Sequence, residues 1–178
     1  MKVLLMYESM FGNSERVAHA VAEGLREGAE VLVRDVTTAH PGDVPGDVDL
    51  LVVGGPTHAL SMSRPTTREE AIRQGAGQGL ASRGLREWLE GVSGDLHGLP
   101  FAAFDTRVSR VRRLPGSAAR SATRMLRRQR GRMLATPESF YVDDVAGPLG
   151  QDEVARARDW GRRLAGLLVG EGHPAQAG

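Results

Sequence analysis

The chain has 178 residues, 40% hydrophobic and 25% charged, which suits one domain with a real core. It contains no cysteine, which excludes disulfides, thiolate catalysis and zinc–cysteine sites. The net charge of +1 conceals an asymmetry: ten arginines and no acid lie between Thr106 and Pro137, leaving 13 basic and 22 acidic side chains elsewhere.

The opening run Lys2 to Tyr7 (KVLLMY) has the length and near-continuous apolarity of a strand covered on both faces. It is too short for a signal peptide or a membrane span, so a soluble cytoplasmic protein is expected. A helix is predicted from Ser14 to Glu27, with Val17, Val21 and Leu25 on one side and Gly28 placed to stop it. Glu30 to Val36 is a second strand. Asp49 to Val53 is a third, ending in Gly54-Gly55-Pro56-Thr57. Helical patterns follow over Thr67 to Gln74 and Leu85 to Val92, separated by the glycine-rich run Gly75 to Gly79, a candidate mobile flap. Leu99 to Phe104 is a fourth strand, Ala118 to Arg128 a helix, and Met133 to Val142 a fifth strand weakened by Pro137. The closing helix is predicted over Asp152 to Val169. Gly170 to Gly178 has too little apolar surface to stay ordered and reads as a tail, so one domain is expected over 1–169.

This alternation argues for a parallel sheet wrapped by helices on both faces. Ligands of such sheets sit beyond the carboxyl ends of the strands, where strand order reverses. Three loops leave those ends: Glu8 to Asn13, Gly54 to Arg64 and Asp105 to Leu114.

The first of these reads Ser9-Met10-Phe11-Gly12-Asn13-Ser14. Backbone N–H groups at a helix start lack intrahelical partners and suit a phosphate; Gly12 permits close approach, and the serines add hydroxyl donors. The same residues also read as a plain helix cap through Asn13 or Ser14. Other chemistries fit poorly. No lysine follows the glycine, so this is not a Walker loop. The acids needed by a phosphorylated receiver domain are missing, as is a Gly-x-Ser-x-Gly elbow. The histidines His19, His40, His58, His97 and His173 show no metal-ligand spacing, and His58 alone lies in a ligand-facing loop.

Ser9 to Ser14 after KVLLMY resembles the FMN phosphate loop of flavodoxins, and its Met-aromatic-Gly variant is similar to flavodoxin-like quinone reductases. Gly54-Gly55-Pro56-Thr57-His58 resembles the family's Gly-x-Pro-Thr loop against the flavin ring. Phe104-Asp105-Thr106-Arg107 falls where the third flavin loop leaves strand four. The resemblance implies a doubly wound, five-stranded parallel sheet in the order 2-1-3-4-5, with FMN as cofactor. It implies contacts from Ser9, Met10, Phe11, Gly12, Asn13 and Ser14 to the phosphate. Pro56, Thr57, His58, Ala59, Asp105, Thr106 and Arg107 would border the ring. The family's usual stacking tyrosine or tryptophan is absent from both ring loops, leaving His58 and Phe104 as aromatic candidates.

The expected function is electron transfer between a reductant and an acceptor. An NAD(P)H-quinone-reductase-like flavoenzyme and a flavin-free interaction module are the alternatives. A redox protein or a small-molecule acceptor is the expected partner. The helix over Ala118 to Arg128 sets Arg120, Arg124, Arg127 and Arg128 on one side and apolar residues on the other. That cationic side is either a solvated face or, within the Arg107 to Arg132 segment, a site for an acidic surface or the phosphates of a dinucleotide. Nucleic acid is disfavoured, because no aromatic residue lies between Asp105 and Pro137 to stack on bases.

Overall fold

The computed structural model describes residues 1–77, 81–92 and 96–172. Gln78 and Gly79 of the glycine-rich run, His173 and the rest of the expected tail lie outside the described residues.

Strand β1 (Lys2–Tyr7) pairs in parallel with β2 (Glu30–Asp35) on one side and β3 (Leu50–His58) on the other. Strand β3 pairs in parallel with β5 (Pro100–Val108), across the crossover that contains the two-residue β4 (Ser61–Met62). The far side of β5 is covered by two short strands, β6 (Arg132–Met133) at its start and β7 (Glu138–Val142) at its end. Together these two fill the fifth position of the expected 2-1-3-4-5 order. Pro137 lies in the gap between them, as expected of a residue without an N–H to give the ladder. The sheet thus has seven strands rather than five: the fifth is split, and β4 adds a short antiparallel partner to the end of β3.

Alternation along the central strands assigns each side chain to a layer. Val3, Leu5, Leu50, Val52, Ala102 and Phe104 face helix α1 (Asn13–Leu25) and helix α5 (Glu153–Gly172). Leu4, Met6, Leu51, Val53, Phe101 and Ala103 face α3 (Leu85–Glu90) and α4 (Ala118–Arg128). Because both sides are covered, these strands read as continuous apolar runs. Helix α5 extends through Gly172, so the first residues of the expected tail continue the helix.

Phe104, an aromatic candidate for the ring, belongs to the core. It packs edge-to-face with Phe140 at 6.1 Å and Trp160 at 6.2 Å. Gly54 makes room for it: a Cβ there would lie 2.0 Å from Phe104 Cζ. Gly54→Ala must therefore push the ring out of its cluster, and overpacking of this kind costs about 1–3 kcal/mol. Urea unfolding of the variant should show a lower midpoint with an unchanged slope; an unchanged midpoint would contradict the packing described.

Candidate functional site

The carboxyl ends of β1, β3, β5 and β7 open onto a cleft of about 430 Å³, within the range of small-molecule sites. Of the expected site residues, Ser9, Met10, Phe11, Asn13, Ser14, Pro56, Thr57, His58, Ala59, Thr106 and Arg107 line it. The sequence reading did not anticipate the wall given by helix α2 (Pro65–Arg73) and its end, through Thr66, Thr67, Glu70, Ala71, Arg73 and Gln74. Nor did it anticipate Val108, Val142 and Val145. Helix α2 is short and polar in sequence, and nothing in its pattern reports that it folds back over the first loop.

Met10 shows what draws that helix in. Its side chain is buried with Ala71 and Ala76, with Phe11 and Ile72 packed alongside. Met10 and Phe11 thus anchor the first loop to α2. Gly75, with φ of 98°, turns the chain at the end of α2, and Ala76 N–H closes the turn onto the Ala71 carbonyl at 3.0 Å.

Gly12, not Asn13 or Ser14, is the N-cap of α1, with φ of 82° in the left-handed region that glycine enters without cost. It has no side chain to cap the helix. Asn13 instead donates from Nδ2 to the Ala146 carbonyl at 3.1 Å, tying the first loop to the one after β7. The Ser14 hydroxyl pairs with that of Thr106 at 2.7 Å, joining the first loop to the third. Ser9 Oγ accepts from Glu15 N–H at 3.3 Å. Among the described residues, the Asn13 and Ser14 N–H groups receive no acceptor. Neither the Asn13 nor the Ser14 side chain therefore caps α1, and these two amides keep the donor capacity of an open helix start.

The second loop is a hairpin. Strand β3 runs on through His58, and Ala59 and Leu60, with φ of 45° and 61°, turn it into β4. Two left-handed residues in a two-residue hairpin are normally Asn-Gly, and L side chains there cost about 1–2 kcal/mol each. The turn places Ala59 in the lining of the cleft. Thr57 Oγ1 accepts from Ala118 N–H at 2.9 Å, so this residue both borders the cleft and starts α4.

Asp105 does not reach the cleft. Strand alternation sends it to the α4 side, where it is fully buried and accepts from Ala119 N–H at 2.9 Å. Burial raises its carboxyl above the ordinary value, against the lowering effect of its hydrogen bonds and of Arg107. Arg107 lies in the cleft wall, only 5% exposed, and donates from Nη2 to the Val111 and Leu114 carbonyls. His58 is held below its ordinary value by burial first and then by the charge of Arg68, so it is neutral at pH 7. Among the described residues no cluster of histidines or carboxylates could hold a metal ion, and no helix is long and apolar enough to cross a membrane.

The fold, a parallel sheet with helices on both faces, is matched across nearly the whole chain by solved structures. Flavodoxin 1 from Bacillus cereus superposes with a TM-score of 0.66 at 17% identity, covering 96% of this chain and 98% of its own. A flavodoxin from the domain Archaea gives 0.64 at 16% identity, over 95% and 99%. A flavodoxin, WrbA-like protein from Agrobacterium tumefaciens gives 0.56 at 17% identity, over 95% and 98%. The chain has the flavodoxin fold. No family model matches it. A 46-residue stretch is 59% identical to an NAD(P)H dehydrogenase (quinone) of Geotalea uraniireducens (strain Rf4), covering 25% of this chain. The match spans only 23% of that relative's length.

Behind the cleft, this flavodoxin-fold protein buries a charged network that the sequence did not disclose. Arg68 on α2 is 0% exposed. It donates to Ser63 Oγ at 2.7 Å and to the Ala81 carbonyl at 3.1 Å, and its Nη2 lies 3.0 Å from Glu87 Oε2. That last contact is an ion pair whose angle does not make a hydrogen bond. Glu8, directly after β1, accepts from Leu85 N–H at 2.7 Å. Burial raises its carboxyl above the ordinary 4.5, although the Ser63 hydroxyl, the Leu85 amide and Arg68 pull the other way. The folded state thus holds this proton more tightly than the unfolded chain. The resulting stabilisation is full below about pH 4.5 and is lost as pH rises through the raised value. Glu8→Gln removes that loss. Its stability relative to wild type should therefore increase as pH rises above about 4.5; parallel stability–pH curves from urea unfolding would refute the raised carboxyl.

Proposed function

We propose that the protein binds FMN in this cleft and carries electrons between a reductant and an acceptor. The observation behind this reading is the pair of Asn13 and Ser14 amides at the start of α1, which meet no acceptor among the described residues and lie beside an apolar wall of Met10, Phe11, Pro56, Val108, Val142 and Val145. One end of the cleft suits a phosphate and the rest suits a flat ring. FMN supplies the redox chemistry when bound; the protein binds and orients it and sets its potential.

The phosphate would take the Asn13 and Ser14 amides and the hydroxyl hydrogens that the internal bonds leave spare. Ser9 only accepts from Glu15, so its own hydrogen is available. In the Ser14–Thr106 pair one hydroxyl donates to the other, which leaves one further donor. His58 replaces the missing tyrosine or tryptophan at the ring edge, and Phe11 is a second aromatic wall that the sequence reading assigned to the phosphate end.

Electron carriage is favoured over acid–base catalysis by the titratable groups present. Neutral His58 has no proton to give as an acid at pH 7 beyond its one ring N–H. Glu70, the one carboxylate among the described residues lining the cleft, is held charged by hydrogen bonds from Arg73 and Gln74. An NAD(P)H-quinone-reductase activity is the second reading, supported by the short stretch shared with the relative of that name.

Purified protein should be yellow, or should quench FMN fluorescence stoichiometrically when flavin is added. A colourless preparation that takes up no FMN would replace this reading with a flavin-free interaction module. Arg107 puts a positive charge in the cleft wall, which favours electron uptake by the flavin. Arg107→Gln should make the midpoint potential more negative. A charge effect of about 1 kcal/mol corresponds to roughly 40 mV for one electron. Potentiometric titration showing no shift, or a shift of opposite sign, would remove Arg107 from this role.

A further inference from the structure

A second cavity, also of about 430 Å³, shares the Arg107 wall of the first. Its lining includes Arg107, Arg112, Arg113, Arg120 and Arg156, with Glu138 as the one carboxylate. Arg156 is already committed: it is ion-paired with Glu138 and Glu153, and donates to the Ser139 carbonyl. The other four guanidiniums face no carboxylate in the lining. Arg107 and Arg120 donate only to backbone carbonyls, those of Val111 and Leu114 and of Pro115. Arg112 and Arg113 are exposed and make no side-chain bond among the described residues.

The cluster is held in place. Arg107 pins the short 3-10 turn at Ser109–Val111 and the chain after it from inside, and Arg110 ties that turn to Asp144 at 2.6 Å. Arg120 holds the chain at Pro115, and Gly116 packs so closely on Leu60 that a Cβ would lie 2.5 Å from the Leu60 carbonyl oxygen. Like charges repel, and the fixed backbone nonetheless roots Arg112, Arg113 and Arg120 beside Arg107 around one cavity, the side chains of Arg112 and Arg113 being exposed and unbonded. The buried Arg107 also leaves its Nε–H without an acceptor, although the residue is only 5% exposed, a deficit worth about 1–3 kcal/mol. Both features are costs to the empty protein, and a multiply charged anion relieves them.

We propose that this cavity is a binding site for a diphosphate group. The guanidiniums of Arg112, Arg113 and Arg120, which meet no carboxylate among the described residues, and that of Arg107, whose Nε–H lacks an acceptor, match a ligand of several negative charges, and arginine is the residue suited to bidentate recognition of phosphate oxygens. The cavity has room for more than a single phosphate. The diphosphate comes either as a free or nucleoside diphosphate or as the bridge of a dinucleotide. Through Arg107, a dinucleotide held here would lie against the wall of the first cleft. The site itself does not depend on that cleft being filled.

The test is calorimetric titration of inorganic pyrophosphate into the full chain at about 0.1 M salt, with and without saturating FMN. Saturable binding, tighter than that of orthophosphate and unaltered by FMN, is expected. Arg112→Gln combined with Arg113→Gln should weaken it about tenfold or more; because neither side chain makes a bond within the protein, an unchanged melting temperature will confirm the fold. Absence of saturable binding, equal affinity in the double variant, or displacement by FMN would overturn the proposal, the last by placing the anion in the first cleft. Should the protein take up no FMN, the pyrophosphate result still stands alone. ADP-ribose binding more tightly than pyrophosphate would identify a dinucleotide as the source; equal affinities would identify a free diphosphate; either upholds the site.

Discussion

The guanidinium of Arg68 lies where water does not reach it, and much of the arrangement around the cleft follows from what that charge requires. A buried charge is tolerated only when paired and hydrogen-bonded, and removing one partner commonly costs about 3–5 kcal/mol. Its partners come from several segments. Ser63 follows the β3–β4 hairpin, Ala81 lies before α3, and Glu87 sits within α3. Glu8 approaches from the end of β1 and is fastened to the start of α3 through Leu85. The first residue of the first loop is therefore fixed by the network around Arg68. The same charge also helps keep His58 neutral.

Two further ties complete the edge. The Ser14–Thr106 hydroxyl pair sets the distance between the first and third loops, and Thr57 connects the second loop to the start of α4. Each uses a side chain that also lines the cleft. Residues with such double duty make the cleft pre-formed, so a ligand meets donors already in place and loses little to ordering them. The left-handed Ala59–Leu60 turn has the opposite sign, being strained. It persists because α4 and the Arg86 contacts to Ser61, Met62 and Ser63 over-determine the hairpin.

The layers of the fold were legible because its strands are apolar on both faces and its helices carry single stripes. That signal comes from burial alone and needs no knowledge of partners. The first-loop cluster was legible for a different reason: glycine at a strand–helix junction has few uses. Asp105 was misplaced because adjacency in sequence says nothing about alternation. Thr106 faces the cleft, and Asp105 before it is turned to the α4 layer. Phe104 was ambiguous on the same ground and proved to be core. Arg68 and Glu8 were invisible, since a buried network joining Arg68 to Glu87 and Glu8 to the Leu85 amide draws on separate segments and has no local pattern. The α2 wall was missed likewise, because its docking depends on Met10 rather than on its own polar sequence.

Met10 and Phe11 bring no hydroxyl to the first loop. In the structure Met10 is buried against Ala71 and Ala76, and burying a methionine side chain is worth about 1.5–3 kcal/mol. That energy holds the loop against α2 and holds Gly12 at the left-handed angle that turns the following amides toward the cleft. A flexible loop with more hydroxyls would offer more donors but would have to order them on binding, at about 1–2 kcal/mol per residue. A loop anchored by methionine offers fewer donors in fixed positions. The anchored design carries a dependence that the other lacks: any change that loosens α2 will also loosen the first loop.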